Sequence, residues 1–261
     1  MPSIDEAIGF LESQRVRQSP LFAPSQGRFV LSFLGTTSAR GVVPVLTVHE
    51  LGTITPTGSS SCRIQLAGAP PRDPARGESI TVSVTDWPAY RGYQLKTQPC
   101  GAAAARLVER PSAERFELHS TQVFTVHHTP NTVHMFEDVP FAEVEETARK
   151  VRRAVVGIGP LVNISPRFII CWEVRDGALS LFHGDGEANK TWMNLQQNAS
   201  AASAVFDYET GQSMVFEGQC REIARPDYQA IFDELCHHYV RIGYGLPSRV
   251  YRLLVNRITA A

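Results

Sequence analysis

The sequence predicts a mainly β protein with flanking helices, in which one arrangement of elements occurs twice. Short runs rich in Val, Thr, Phe and Leu, interrupted by Gly and Pro, fill residues 28–126. Such closely spaced runs favour an antiparallel sheet or barrel over βαβ units. Short runs of the same kind occur again in residues 167–258. Each of these regions follows a segment with apolar residues at three- and four-residue intervals, which is typical of an amphipathic helix.

The two predicted helices define a division of the chain. The first covers residues 4–15 and the second covers residues 141–155. Pro130 and Pro140 lie in the segment before the second helix, which therefore reads as a linker. The predicted organisation is an N-terminal domain at 1–127, a linker at 128–140 and a C-terminal domain at 141–261.

Composition excludes several classes of protein. The chain has 261 residues, 43% of them hydrophobic, with a formal charge of -1, so it can bury a substantial core and has no overall field for nucleic acid or an anionic membrane. No apolar run approaches the roughly 20 residues of a membrane-spanning helix. The N-terminus lacks a secretory pattern and the five cysteines form no Cys-x-x-Cys pair. We therefore expect reduced thiols and a cytoplasmic location.

An alignment of the two halves tests whether the chain contains a duplication. Aligning Leu66 on Leu195 and Asp86 on Asp207 pairs a β-rich segment in each half, and it places Ser61 opposite Lys190. Identity between the halves is low. The alignment predicts a tandem duplication, and two unrelated β-rich halves are the alternative interpretation.

Residues 165–195 form the segment that most clearly suggests a ligand-binding site. It reads as a strand, a tight Asp176-Gly177 turn, a second strand, a Gly-rich loop and a helix. The helix start carries Asn189, Lys190 and Thr191, where backbone N–H groups and the helix dipole suit an anion. We interpret this start as a phosphate site. The alternatives are that Asn189 is only a helix cap and that Lys190 is an ordinary surface residue.

The segments ISPRFI, FHGDGEANKTWMNLQQNAS and AVFDYETGQSMVFEG resemble the FMN-binding split β-barrel family that includes pyridoxamine 5′-phosphate oxidase. In the first half, SVTDWPAYRGYQLKT is similar to the paired strands at the equivalent place. The resemblance implies two split β-barrel domains packed as an intrachain pseudo-dimer, so that the chain is a monomer with FMN in the groove between its barrels. It also implies an oxidoreductase acting on a small organic substrate, with NAD(P)H or oxygen as co-substrate.

The resemblance also implies roles for individual residues. Lys190 would bind the FMN phosphate together with Asn189 and Thr191. One side of the flavin would be lined by a run on the strand before the loop, comprising Arg167, Phe168, Ile169 and Ile170. His183 ends the next strand and is a candidate to lie near the cofactor, while a partly buried histidine with satisfied hydrogen bonds is the favoured interpretation of this residue.

The first half is expected to complete the same site with a polar strand. Arg91 and Gln94 are predicted to contact the cofactor, and Arg91 and Tyr93 are predicted to contact the substrate. Because Ser61 carries no charge where Lys190 does, we expect one complete site and one degenerate site in the chain.

Two other interpretations are kept beside the oxidoreductase. The same barrel would serve a non-catalytic flavin- or heme-binding protein, or a barrel pair that has lost its ligand and acts only as an interaction module. A metal centre is not predicted, because the adjacent histidines His127-His128 and His237-His238 point to opposite faces of a strand or lie in connecting segments.

Overall fold

A computed structural model describes residues 1–18, 29–58, 61–70, 72–86, 91–97, 108–112, 114–127, 141–185, 189–233, 236 and 249–260. Its α-helices include α1 (Ile4–Gln18), α2 (Phe141–Val151) and α3 (Asn189–Gln197), and a 3-10 helix covers Arg225–Tyr228. No helix in these ranges is long and apolar enough to cross a membrane. The predicted linker at 128–140 lies outside the described residues.

Strands make up most of the remaining described chain, so the predicted mainly β class with flanking helices is confirmed. Numbered along the chain, they are β1 (Val30–Thr36), β2 (Val45–Pro56), β3 (Cys62–Ala67), β4 (Ser79–Asp86), β5 (Arg91–Lys96), β6 (Val108–Ser112), β7 (Arg115–Ser120), β8 (Gln122–His127), β9 (Arg153–Gly159), β10 (Asn163–Arg175), β11 (Ala178–Asp185), β12 (Ser200–Phe206), β13 (Ser213–Glu222) and β14 (Arg249–Ala260).

The chain divides into two compact units, each with its own core. The first unit combines residues 1–43 with residues 165–261, and the second unit consists of residues 44–164. In the first unit, six strands form a closed barrel in the order β1-β10-β11-β14-β13-β12. Leu11 of α1 packs into the barrel core with Leu34 and Phe216, because the apolar stripe of this helix faces the sheet.

The second unit is an eight-stranded sheet in the order β6-β7-β3-β2-β9-β4-β5-β8. β7 pairs with β3 and β8 pairs with β5, and only Thr121 separates β7 from β8 along the chain. One continuous segment therefore joins two separate parts of the sheet. In the barrel, β14 makes the connection that the β7–β8 segment makes in the second unit. It pairs with β11 through its first residues and with β13 along its length. Val144 and Ala148 of α2 pack into the core of this unit.

Strand register supports a common plan for the two units. Ser83 lies opposite Gln94 in the β4–β5 pair, and Ala204 lies opposite Val215 in the β12–β13 pair. The same alignment superposes Asp86 on Asp207. The β2–β3 pair and the β10–β11 pair each contain one register shift, between Leu51 and Ile54 and between Ile169 and Cys171. The tandem duplication stays a prediction, and these correspondences support it.

The boundaries of the units differ from the predicted division at residues 127 and 141. β1, from the first half of the sequence, lies between β10 and β12 of the second half. β9, from the second half, lies between β2 and β4 of the first half. The first strand of each half thus completes the sheet of the other half. Short-range sequence patterns do not report this exchange, because strand pairing is a long-range contact.

Candidate functional site

The predicted site residues fall into both units. The barrel carries the predicted phosphate helix and the predicted flavin strand, with Arg167, Phe168, Ile169, Ile170, His183, Asn189, Lys190 and Thr191. The second unit carries the predicted partner strand, with Arg91, Tyr93 and Gln94 on β5.

The β10–β11 hairpin delivers the chain to the start of α3. Asp176 and Gly177 have φ values of 52° and 75°, the positive-φ pair that a tight hairpin turn requires. β11 then ends at Asp185, and α3 begins at Asn189. The predicted order of strand, turn, strand and helix is therefore confirmed, while the Gly-rich loop at 186–188 lies outside the described residues.

A group of polar side chains lies beneath this helix start, and we call it the Asp185 cluster; it comprises Ser165, Arg167, Asp185, Thr191 and Tyr251. Arg167 Nη2 lies 3.0 Å from Asp185 Oδ1 and donates to Thr191 Oγ1 at 3.2 Å. Tyr251 Oη donates to Asp185 Oδ2 at 2.6 Å. The Ser165 and Thr191 hydroxyl oxygens lie 2.9 Å apart. Since buried charges are tolerated when paired and hydrogen-bonded, these contacts explain how Arg167 and Asp185 remain inside the barrel.

The position of Arg167 and Thr191 differs from the expectation that they face a ligand. The Arg167 side chain is 5% exposed and Thr191 is 0% exposed. Arg167 also donates from Nη1 to the carbonyl oxygen of Pro166 at 3.1 Å. Both side chains thus make their polar contacts inside the protein, beneath the first turn of α3.

Lys190 is exposed in the first turn of α3, as the phosphate interpretation requires. This turn contains no acidic residue, so nothing in it opposes an anion. Asn189 is the first residue of the helix. Of the residues predicted around the phosphate, Lys190 is the one that the structure places at the surface with a cationic group.

Phe168, Ile169 and Ile170 are buried in the barrel. Ile169 belongs to the hydrophobic core, and the Phe168 ring lies 6.1 Å from the ring of Phe29. Their side chains are therefore accounted for by packing, and any contact with a flavin from this strand involves its backbone.

His183 is fully buried, and its Nε2 lies 2.9 Å from Ser203 Oγ. Burial, reinforced by the Arg167 charge, lowers the pKa of the imidazole to about 3 from its usual 6.5. His183 therefore stays neutral inside the barrel. Its burial separates it from the surface on which Lys190 lies.

The depressed pKa of His183 predicts a dependence of stability on pH. Between pH 6.5 and pH 3 the unfolded chain binds a proton at this residue that the folded chain does not bind. The contribution of His183 is therefore fully present above pH 6.5 and is lost as the pH falls. We expect about 2 kcal/mol of this loss between pH 7 and pH 5.

Denaturant unfolding at the two pH values measures this effect. His183→Asn keeps a polar group toward Ser203 but does not titrate, so its loss of stability between pH 7 and pH 5 should be smaller than that of the wild type by about 2 kcal/mol. An equal pH dependence in His183→Asn and wild type would contradict the assignment.

In the second unit, Arg91 is exposed at the start of β5, whereas Tyr93 is 1% exposed. Tyr93 Oη donates to Glu143 Oε2 of α2 at 3.2 Å. Burial and the nearby Glu143 carboxylate raise the pKa of the Tyr93 phenol to about 12. Gln94 Oε1 accepts from the backbone N–H of Ile164 at 3.4 Å. Tyr93 and Gln94 thus have partners within their own unit, and Arg91 is the surface group of the three.

The predicted equivalence of Ser61 and Lys190 is not what the structure shows. Ser61 precedes β3, and β3 corresponds to β11 in the strand order, not to α3. Burial in β3 alternates along Cys62, Ile64 and Leu66, which is the period of a strand. Within the described part of residues 68–78, no helix stands in the place of α3.

Sequence reasoning missed Asp185, Tyr251 and Ser165. The predicted strand ends at His183 and leaves Asp185 in the Gly-rich loop, whereas β11 continues to Asp185, where a buried carboxylate requires a cationic or hydroxyl partner. Tyr251 lies in a strand distant along the chain, and its contact with Asp185 depends on the pairing of β11 with β14.

No protein-family model and no curated protein matches the chain. Among solved structures, it is similar to HupZ of Group A Streptococcus, with 20% identity and a TM-score of 0.29, over 38% of this chain and 74% of that chain. It is also similar to Atu2129 of Agrobacterium tumefaciens, with 12% identity and a TM-score of 0.31, over 40% and 46% of the two chains. A third similarity is to PhzG of Burkholderia lata, crystallised with tetrahydrophenazine-1-carboxylic acid, with 16% identity and a TM-score of 0.25, over 38% and 62%.

Proposed function

We propose that this chain is an FMN-dependent oxidoreductase that acts on a small organic substrate and binds the FMN phosphate at the start of α3. The resemblance of most of residues 140–258 to the FMN-binding split barrels supports the choice of cofactor. The observation that carries the proposal is the exposed, cationic residue Lys190 in a helical first turn without acidic residues.

The groups at this helix start fit a phosphate dianion. The first backbone N–H groups of a helix have no partner within the helix, and the helix dipole adds positive potential there. Asp185 is the last residue of β11, and Arg167 and Tyr251 contact its two carboxylate oxygens. Because the Asp185 charge is compensated inside the protein, its repulsion of a bound phosphate is weakened.

Bound FMN would supply the hydride or electron transfer, and the protein would supply binding and orientation. Lys190 and the first amides of α3 would hold the phosphate end. The closed barrel behind them gives the helix start a rigid support, which favours a fixed orientation of the bound molecule. NAD(P)H or oxygen is the co-substrate that we expect.

Two measurements on the purified full chain test the proposal. Flavin bands in the visible absorbance spectrum, after incubation with FMN and removal of excess, are the expected result. The flavin-loaded protein should then oxidise NADH or NADPH at a steady rate when substrate or oxygen is present. A tightly bound but inert flavin would indicate a carrier, and heme uptake without FMN uptake would indicate a heme-binding protein. Either result would overturn the proposed activity.

A further inference from the structure

One guanidinium group contacts both sides of the connection between β11 and α3. Arg167 Nη2 lies 3.0 Å from Asp185, the last residue of β11, and 3.2 Å from Thr191, in the first turn of α3. Both contacts are buried. The connection between these two anchored residues is the predicted Gly-rich loop, and the helix start beyond it is the proposed phosphate site.

We infer that Arg167 is a positioning residue, which fixes the first turn of α3 for the phosphate through Asp185 and Thr191 and does not contact the phosphate itself. This inference rests on the proposed function. It also differs from the role that the sequence resemblance implies for Arg167, which is contact with the flavin.

Charge and burial both favour the positioning role. Arg167 is paired with Asp185, so the pair contributes little net charge to attract an anion. Its side chain is 5% exposed, and its Nη2 already contacts Asp185 and Thr191, so a phosphate at this nitrogen would have to compete with both residues. Charge-assisted hydrogen bonds within a closed barrel are strong and directional. They therefore suit the task of holding a turn in one geometry.

Arg167 positions the first turn of α3 through the Thr191 hydroxyl. It lies within hydrogen-bond distance of both Arg167 Nη2 and Ser165 Oγ, two groups of β10. The Thr191 side chain thus attaches the first turn of α3 to β10. Loss of that hydroxyl should loosen the turn while every charge in the cluster stays in place.

The second unit offers an internal comparison. Ala67 ends β3 opposite Arg115 of β7, as Asp185 ends β11 opposite Arg249 of β14. Ala67 has no carboxylate, and no helix follows β3 within the described part of residues 68–78. Within the described residues, the barrel unit thus has both the buried ion pair at the end of β11 and the helix α3 after it, and the second unit has neither at the end of β3. The correlation is expected if the pair serves the helix start.

Thr191→Val and Thr191→Ser test the inference, because valine keeps the shape and removes the hydroxyl while serine keeps the hydroxyl. Hydrogen exchange of the apo proteins should show amide exchange about tenfold faster in the first turn of α3 for Thr191→Val, in line with the loss of one buried hydrogen bond. Thr191→Ser should stay within about twofold of wild type. Unchanged exchange in Thr191→Val would overturn the inference.

FMN titration at several salt concentrations separates positioning from direct contact. Thr191→Val should bind FMN about tenfold more weakly with the salt dependence of the wild type, because no charge that faces the phosphate has changed. Arg167→Gln should likewise keep that salt dependence. A salt dependence reduced in Arg167→Gln as much as in Lys190→Gln would show direct contact and overturn the inference. A wild type that takes up no FMN would instead contradict the proposed function, and the exchange data on the apo proteins would still decide whether Thr191 holds the turn.

Discussion

Lys190→Glu is expected to weaken FMN binding by about a hundredfold or more. The substitution removes a charge-assisted contact of about 1.5–3 kcal/mol and adds repulsion between a carboxylate and the phosphate. It also places a negative charge at the proposed anion site without altering the buried residues below, since Lys190 is exposed. Quenching of flavin fluorescence during titration measures the dissociation constant.

Lys150→Glu is the matched control for this experiment. Lys150 is also exposed on a helix, in the last turn of α2, where it pairs with Glu146 at 2.8 Å. The same change of charge on the chain should leave FMN affinity within about threefold of wild type, because a solvent-exposed charge acts weakly beyond its immediate neighbourhood. Equal losses in both variants would show that the effect comes from overall charge and would remove Lys190 from the site.

Asp185→Asn is expected to destabilise the barrel by about 3–5 kcal/mol, which is the usual range for breaking a buried ion pair by removing one partner. Arg167 would be left as a buried cation without its carboxylate, and Tyr251 Oη would donate to a weaker acceptor. Denaturant unfolding followed by the fluorescence of Trp172 and Trp192, which both lie in the barrel unit, measures the loss.

Glu12→Gln provides the control, because it breaks the exposed Arg15–Glu12 pair of α1 in the same unit. Its expected cost is within about 1 kcal/mol. The double variant Arg167→Gln with Asp185→Asn should lose less stability than the sum of the two single variants, since neither charge is then left alone. Additive losses would contradict a direct interaction between Arg167 and Asp185.

Local patterns in the sequence predicted much of the fold. Helical spacing placed α1 and α2 at their observed starts, Ile4 and Phe141, and Asp176-Gly177 predicted the turn between β10 and β11. These features depend on neighbours in the chain. The exchange of β1 and β9 between the sheets depends on pairing between distant segments, so the boundaries at 127 and 141 followed the sequence halves and not the observed units.

The candidate site was predictable to a similar extent. The helix start and the exposed Lys190 follow from local composition. The burial of Arg167 and Thr191 does not, because it depends on Asp185 and Tyr251, which β11 and β14 bring together. The alignment of Ser61 with Lys190 overlooked the alternating burial pattern of β3, which was visible in the sequence as apolar residues at every second position.

The number of FMN molecules bound per chain tests the central claim most directly. Within the described residues, one unit has the helix start with an exposed lysine, and no helix follows the equivalent strand of the other unit. Titration of a known concentration of the chain with FMN should therefore reach its end point at about one equivalent. An end point near two equivalents would show a second functional site, and the absence of binding at any concentration would contradict the assignment of α3 as a phosphate site.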